Sequence, residues 1–288
     1  MANFQGSKIN PTRFSSGQLK FHAVAFPLAI AMIIPIVYIV CQAFKPLGEM
    51  YRFPPTIIVR KPTLSNFKNL FEIGGATGIP MSRYFFNSIL VAVATVVINV
   101  VITIMAAYVF AKKKFAIKGA LWGINQLALM FVPTAVAVPR YMIISSSGLV
   151  NTWWAHIFPL VAVPVGLFLV KQFVDGIPDA LIEAAVMDGA GDLTIIRKVI
   201  VPLTKPALAT SIVLTFQQVW NNVETSNNFI TEESMRTINF FASSLQVNNA
   251  VAAAGIGAAA QVLIFLPNLI IFICMQSQVM NTMSHSGI

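Results

Sequence analysis

Six stretches of this chain are apolar, near membrane length and free of Asp, Glu, Lys and Arg, and they restrict the possible folds more than any other feature. They run over about 22–44, 84–110, 120–139, 153–170, 206–222 and 255–279. A bilayer core takes roughly 20 apolar residues per helix, because no water is present there to satisfy exposed backbone groups. The whole chain is 57% hydrophobic and 10% charged, where a soluble domain is about 25% charged. The expected fold is therefore an all-α integral membrane protein with six transmembrane helices. Pro27 and Pro35 should kink the first. The first apolar run is too long for a signal peptide and has no clear small-residue cleavage site, so it reads as a retained signal anchor. Residues 1–20 form a short N-terminal segment and 21–288 one transmembrane domain.

The formal net charge is +9. The basic residues flank apolar runs, so topology and lipid headgroups account for them without nucleic acid. The densest cluster is Lys112, Lys113, Lys114 and Lys118, close to two spans. Lys and Arg favour cytoplasmic loops, which places both termini in the cytoplasm. The connection 171–205 is then cytoplasmic. The connections 45–83 and 224–254 are external. Residues 64–71 suit a short surface helix. Cys41 and Cys274 lie in apolar runs and read as small hydrophobes. His22, His156 and His285 have no metal-ligand spacing.

The chain has no G-x-x-x-x-G-K-[ST] phosphate loop, no H-E-x-x-H and no G-x-S-x-G. Secondary transporters usually carry ionisable groups inside the membrane, and these spans have none. Their polar groups are mostly amides, including Asn87, Asn99, Asn125, Gln126, Gln261 and Asn268. Amides in spans commonly bond neighbouring helices. They also suit a path for a hydroxyl-rich solute, because they both donate and accept. The segment "TFQQVWNNVE" is the best candidate, with Gln217, Gln218, Asn221 and Asn222 around the aromatic face of Trp220.

The connection 171–205 contains "EAAVMDGAGD", which holds three of the chain's ten acidic residues. Pro178 and Asp179 suit a helix start, and Gly189 suits a left-handed stop. Ala180, Ala184 and Asp188 recur at spacing four, giving one small-sided face. Asp192 can cap a second helix with an apolar stripe of Leu193, Ile196, Val199 and Ile200. Such a hairpin could simply join two spans. It could also dock a partner, since small residues permit close backbone approach.

The stretch "EAAVMDGAGDLTIIRKVIVPLTKPALA" resembles the EAA motif of bacterial ABC importer permeases. Glu183, Ala184, Ala185 and Gly189 match in place. Ile200 and Pro202 follow its I-x-P pattern, with Val201 where leucine is usual. "FPPTIIVRKPTLSNFKNLF", "YFFNSILVAVATVV" and "GLFLVKQFVDGIPDALIEAA" are similar to the carbohydrate branch, the smaller permease of the maltose type. The ending "MNTMSHSGI" is similar to a subgroup associated with complex oligosaccharides and polysaccharides. The resemblance covers the chain from about residue 20 to its end.

This resemblance implies the type I importer permease fold with a cytoplasmic coupling helix, in a bacterial cytoplasmic membrane. It implies no catalysis and no cofactor in this chain, with ATP and Mg held by two separate ATP-binding subunits. It implies a second homologous permease, completing a heterodimer, and an extracytoplasmic solute-binding protein. Glu183, Ala184, Ala185, Asp188, Gly189 and Ala190 would be the ATPase contacts. The loop 224–254 would reach the solute-binding protein, and the tail 281–288 would touch the ATPase subunits. The cargo would be an oligosaccharide or polysaccharide fragment. Alternatives are a permease for an amino acid, phosphate or polyol, or a secondary transporter. An acidic sugar would need cations on its path, and Arg83 and Arg140 are the nearest candidates.

Overall fold

The computed structural model describes residues 18–54, 56–76, 78–245 and 250–285, and among these every regular element is helical. Lys8 and Arg13 of the N-terminal segment, residues 246–249 of the expected external loop and residues 286–288 of the tail lie outside them. Two compact units are distinguished: residues 1–68 with 248–262, and residues 69–247 with 263–288.

In the first unit, α1 (Gln18–Ala43) includes Pro27 and Pro35. Along its apolar span His22–Ala43 most side chains are exposed within the chain, and only the end at Ala43 is buried, which suits lipid or a partner. A short α2 (Leu47–Met50) follows, and α3 (Ser65–Ala76) is the surface helix expected near residues 64–71. Asn66 is buried, and its amide donates to the carbonyls of Ala43 and Lys45, both at 2.9 Å. The Ala43 carbonyl is one that the end of α1 leaves without a helical partner, and Lys45 lies just beyond that end. Gly255 packs against this amide so closely that an added Cβ would lie 2.9 Å from Asn66 Oδ1.

The second unit is organised around α4 (Met81–Lys112). Its 32 residues rise about 48 Å, well beyond a core of about 30 Å. The excess is taken up by tilt or by turns beyond the hydrocarbon. Next come α5 (Lys118–Ala128), α6 (Ala137–Ser146), α7 (Trp153–Val161) and α8 (Pro164–Asp175). They are followed by α9 (Asp179–Met187), α10 (Asp192–Leu203), α11 (Lys205–Trp220), α12 (Glu224–Phe229) and α13 (Ile238–Ser244). The last helix is α14 (Ala250–His285).

Three helices are long and apolar enough to cross a membrane alone: His22–Ala43, Met81–Lys112 and Val251–Gln278. The fourth expected span is a pair, α7 and α8, bent by 49°. Pro164 has no amide hydrogen to continue α7. The carbonyl of Val161, freed at the break, accepts from Asn99 Nδ2 at 2.7 Å, and Asn99 Oδ1 accepts from Thr215 at 3.0 Å. Both polar residues are buried, so these two buried groups are hydrogen-bond glue between α4, α7 and α11. The fifth expected span is α11, set at 86° to α10. The third block, 120–139, is not one helix. Its α5 rises only about 16 Å, a 3-10 turn at Pro133–Val136 follows, and α6 begins at Ala137. Pro133 and Pro139 each remove a backbone donor within this stretch.

Candidate functional site

The helix α9 begins after Pro178, with Asp179 in its first turn. It ends where Gly189 takes φ +80°, a conformation that a side chain disfavours. The amide of Gly189 donates to Val186 O and that of Ala190 to Ala185 O, both at 2.9 Å. This is a Schellman stop, which satisfies two terminal carbonyls.

Two adjacent lysines at the end of α4 hold this hairpin. Lys112 Nζ donates to Asp179 Oδ1 at 2.7 Å and to Ile177 O at 2.5 Å. Lys113 Nζ donates to Asp192 Oδ1 at 2.7 Å, and Tyr108 OH donates to the same oxygen at 2.9 Å. Asp192 thus spends its side chain on α4. Gly191 occupies the cap position expected for it, without a side-chain bond. The hydrogen bond from Lys112 holds the Asp179 carboxyl below the usual carboxylate range. Behind the tethers lies an apolar cluster that includes Ile104 and Tyr108 of α4, Val170 and Val174 of α8, and Ile195 and Ile200 of α10. A π-helical turn at Ile196–Ile200 changes the register of α10. Ile196 and Ile200 are buried and Val199 packs against the cluster, as the apolar stripe requires; Ile195 is buried with them, while Leu193 is exposed.

Glu183, Ala184, Asp188 and Gly189 are exposed. Ala185 and Ala190 are half-buried and pack against the chain's own cluster, together with Ile182. The outer face also carries apolar residues that the sequence reading passed over: Leu181, Val186 and Met187, with Met187 at 86% exposure. Three exposed apolar side chains on one short helix, beside two carboxylates, make a surface suited to another protein. The available signal was Val186 and Met187 standing just before the glycine stop.

The amide group divides differently. Gln217, Gln218 and Asn221 are exposed, and Asn222 is half-buried. Trp220 is 2% exposed. Its Nε1 donates to Ile264 O at 2.9 Å, and its ring stacks on Phe216 with centroids 5.5 Å apart. It serves packing and is not on the amides' open face. Asn221 Oδ1 accepts from Asn268 at 3.2 Å, and Asn222 Oδ1 accepts from Thr225 N at 2.9 Å. Gln218 and Asn222 share a cavity of about 300 Å³ with Val163, Pro164, Arg140 and Glu224. Arg140 Nη1 lies 3.1 Å from both carboxylate oxygens of Glu224. This cavity lies against the break between α7 and α8. Arg83 is committed elsewhere, since its Nε donates to Ser234 O at 3.2 Å.

Residues 100–279 match the family described as binding-protein-dependent transport system inner membrane component. The chain is 31% identical to a probable ABC transporter permease protein, YurM, of Bacillus subtilis, over 90% of this chain and 85% of that one. It is 33% identical to the trehalose transport system permease protein SugB of Mycobacterium tuberculosis, over 66% and 68%. It is 27% identical to the sulfoquinovosyl glycerol permease SmoH of Agrobacterium fabrum, over 78% of each. Its fold is similar to a chain in the crystal structure of a bacterial ABC transporter that imports the acidic polysaccharide alginate. That likeness has a TM-score of 0.76 at 21% identity and covers 93% of this chain and 99% of that one. With α4 tethered to an exposed hairpin and with these relatives, the chain belongs to the inner membrane components of binding-protein-dependent transport systems, the ABC transporter permeases.

Proposed function

We propose that this permease carries a carbohydrate, as an oligosaccharide or polysaccharide fragment, and that α9 is its coupling helix. The observation that carries the coupling role is the double tether of Lys112 and Lys113 to Asp179 and Asp192. It leaves a face of Glu183, Ala184, Val186, Met187 and Asp188 outward on a braced helix. Two ATP-binding subunits, holding ATP and Mg, seat on that face. A second, homologous permease completes a heterodimer around the path. A solute-binding protein delivers cargo on the opposite side, and both termini of this chain lie in the cytoplasm. The sugar names borne by relatives support the cargo class. So does the amide-lined cavity at Gln218 and Asn222, whose groups can match sugar hydroxyls.

No covalent step belongs to this chain. Its work is to convert a displacement of α9 into a rearrangement of α4, α8 and α11. The test is ATP hydrolysis by the assembled complex. Glu183→Lys reverses an exposed charge on the outer face, so membrane insertion should persist and substrate-stimulated hydrolysis should be lost. Normal stimulation in that variant would refute the docking role.

A further inference from the structure

We propose that Arg52, Arg60 and Lys61 form a binding site for a phosphate-bearing anion, filled by the headgroup of an anionic phospholipid. The three side chains line one cavity of about 340 Å³, together with Pro46, Gly48 and Glu49. The apolar span of α1 ends at Ala43, a few residues before this cavity. That spacing puts the cations at headgroup level, beside a helix whose apolar surface the chain itself does not cover.

The single carboxylate in the group offsets only one of the three cationic charges. Glu49 Oε1 accepts from the backbone amide of Arg60 at 3.0 Å, and Glu49 Oε2 accepts from that of Lys61 at 3.4 Å. Thr56 Oγ1 donates to the same carboxylate at 3.4 Å. These bonds, led by the Arg60 amide, hold its pKa below the usual range, so it stays charged at neutral pH. Its role is to fold the loop back, bringing residues distant in sequence to one place. Nearby Lys45 is buried and committed to the carbonyl of Thr56 at 2.5 Å. Arg52, Arg60 and Lys61 are exposed, and none has a side-chain ion pair or hydrogen bond among the described residues.

Three unpaired cations around one cavity repel each other unless an anion joins them. A phosphate fits best, because its several acceptor oxygens can take both guanidinium forks and an ammonium together. The connection 45–83 is external in the proposed topology, so the headgroup belongs to the external leaflet, which the cations attract over a Debye length of about 8–10 Å. Soluble phosphate offers the same chemistry, so the experiment separates the two sources.

The assembled transporter is placed in nanodiscs of phosphatidylcholine, with or without phosphatidylglycerol, and its thermal midpoint is measured. Phosphatidylglycerol should raise the midpoint of the wild type by several degrees. The triple variant R52Q/R60Q/K61Q should keep the wild-type midpoint in phosphatidylcholine and lose most of that rise. An equal rise in the triple variant overturns the site. If the triple variant is unstable in phosphatidylcholine, the single variants R60Q and K61Q should each lose part of the rise, and an undiminished rise in both overturns it. A rise reproduced by inorganic phosphate in pure phosphatidylcholine overturns the lipid source. Weakened binding of the solute-binding protein in the triple variant, with the lipid effect unchanged, assigns the cations to an acidic protein face and overturns the proposal.

Discussion

Lys113 donates to Asp192 at 2.7 Å across 79 residues of sequence, and its neighbour Lys112 binds Asp179 at the same distance. One end of α4 therefore holds both arms of the hairpin. Both aspartates are more than half exposed, and exposed ion pairs contribute only about 0–1 kcal/mol to stability. Their effect is on position. Lys113→Glu should leave the thermal midpoint nearly unchanged and lower substrate-stimulated ATP hydrolysis several-fold. Adding Asp192→Lys restores the pair in reverse and should recover much of the stimulation. The measurement is transport per ATP hydrolysed in proteoliposomes. A single variant with wild-type coupling would exclude the tether from transmission.

The Lys112–Asp179 pair sets a pH expectation. Lys112 lowers the folded-state pKa of Asp179. The pair therefore contributes above the unfolded Asp value of about 3.9. It is lost only as pH falls through the lowered folded value. Across neutral pH this tether should be constant, so coupling measured between mildly acidic and mildly basic buffers should show no step from it. Asp179→Asn should weaken coupling, since it leaves the mostly covered Lys112 ammonium with the Ile177 carbonyl as its remaining partner. High salt should reduce the difference between variant and wild type.

Much of the α9 hairpin, the proposed coupling segment, is legible because its signals are local. Pro178, Asp179 and Gly189 mark the ends of α9 through backbone chemistry alone. The partners of the two aspartates were not legible, because Lys112 and Lys113 come from a distant helix. They entered the sequence reading as topology signals. The α10 stripe holds for Ile196, Val199 and Ile200, which join the apolar cluster, and departs at Leu193, whose inward place is taken by Ile195. The third expected span is not one helix. There α5 ends at Ala128, a 3-10 turn occupies Pro133–Val136 and α6 starts at Ala137, a break that hydropathy alone does not register.

Trp220 shows how an aromatic among amides misleads. From the sequence its ring belongs with Gln217, Gln218, Asn221 and Asn222 on a solute path. Gln218 lies about 200° around the helix from it, and the ring packs on Phe216 while its Nε1 donates to the carbonyl of Ile264. Trp220→Ala should therefore act on assembly before transport. Truncating a buried tryptophan costs about 3–5 kcal/mol, and it would also leave the Ile264 carbonyl without its donor. The check is the yield and thermal midpoint of the purified complex. Gln218→Ala, which alters the cavity wall, should keep that midpoint and change transport kinetics instead.

Arg140 and Glu224 face the same cavity as Gln218, and there the argument turns on which partner is removed. Their side chains are mostly covered. Removing one of them leaves the other partly buried and uncompensated. For a fully buried pair that costs about 3–5 kcal/mol, and here solvent at the cavity mouth should reduce it. Glu224→Gln should thus destabilise the complex, and Arg140→Gln/Glu224→Gln should recover part of the loss. The single variant also exposes an unpaired guanidinium to the cavity. An acidic sugar can then take the place of the lost carboxylate, so Glu224→Gln should shift transport toward uronate-bearing oligosaccharides relative to neutral ones. Competition between the two cargoes in proteoliposomes reads that shift directly. An unchanged ratio would mean that the pair braces α6 against the start of α12 and does not face the path.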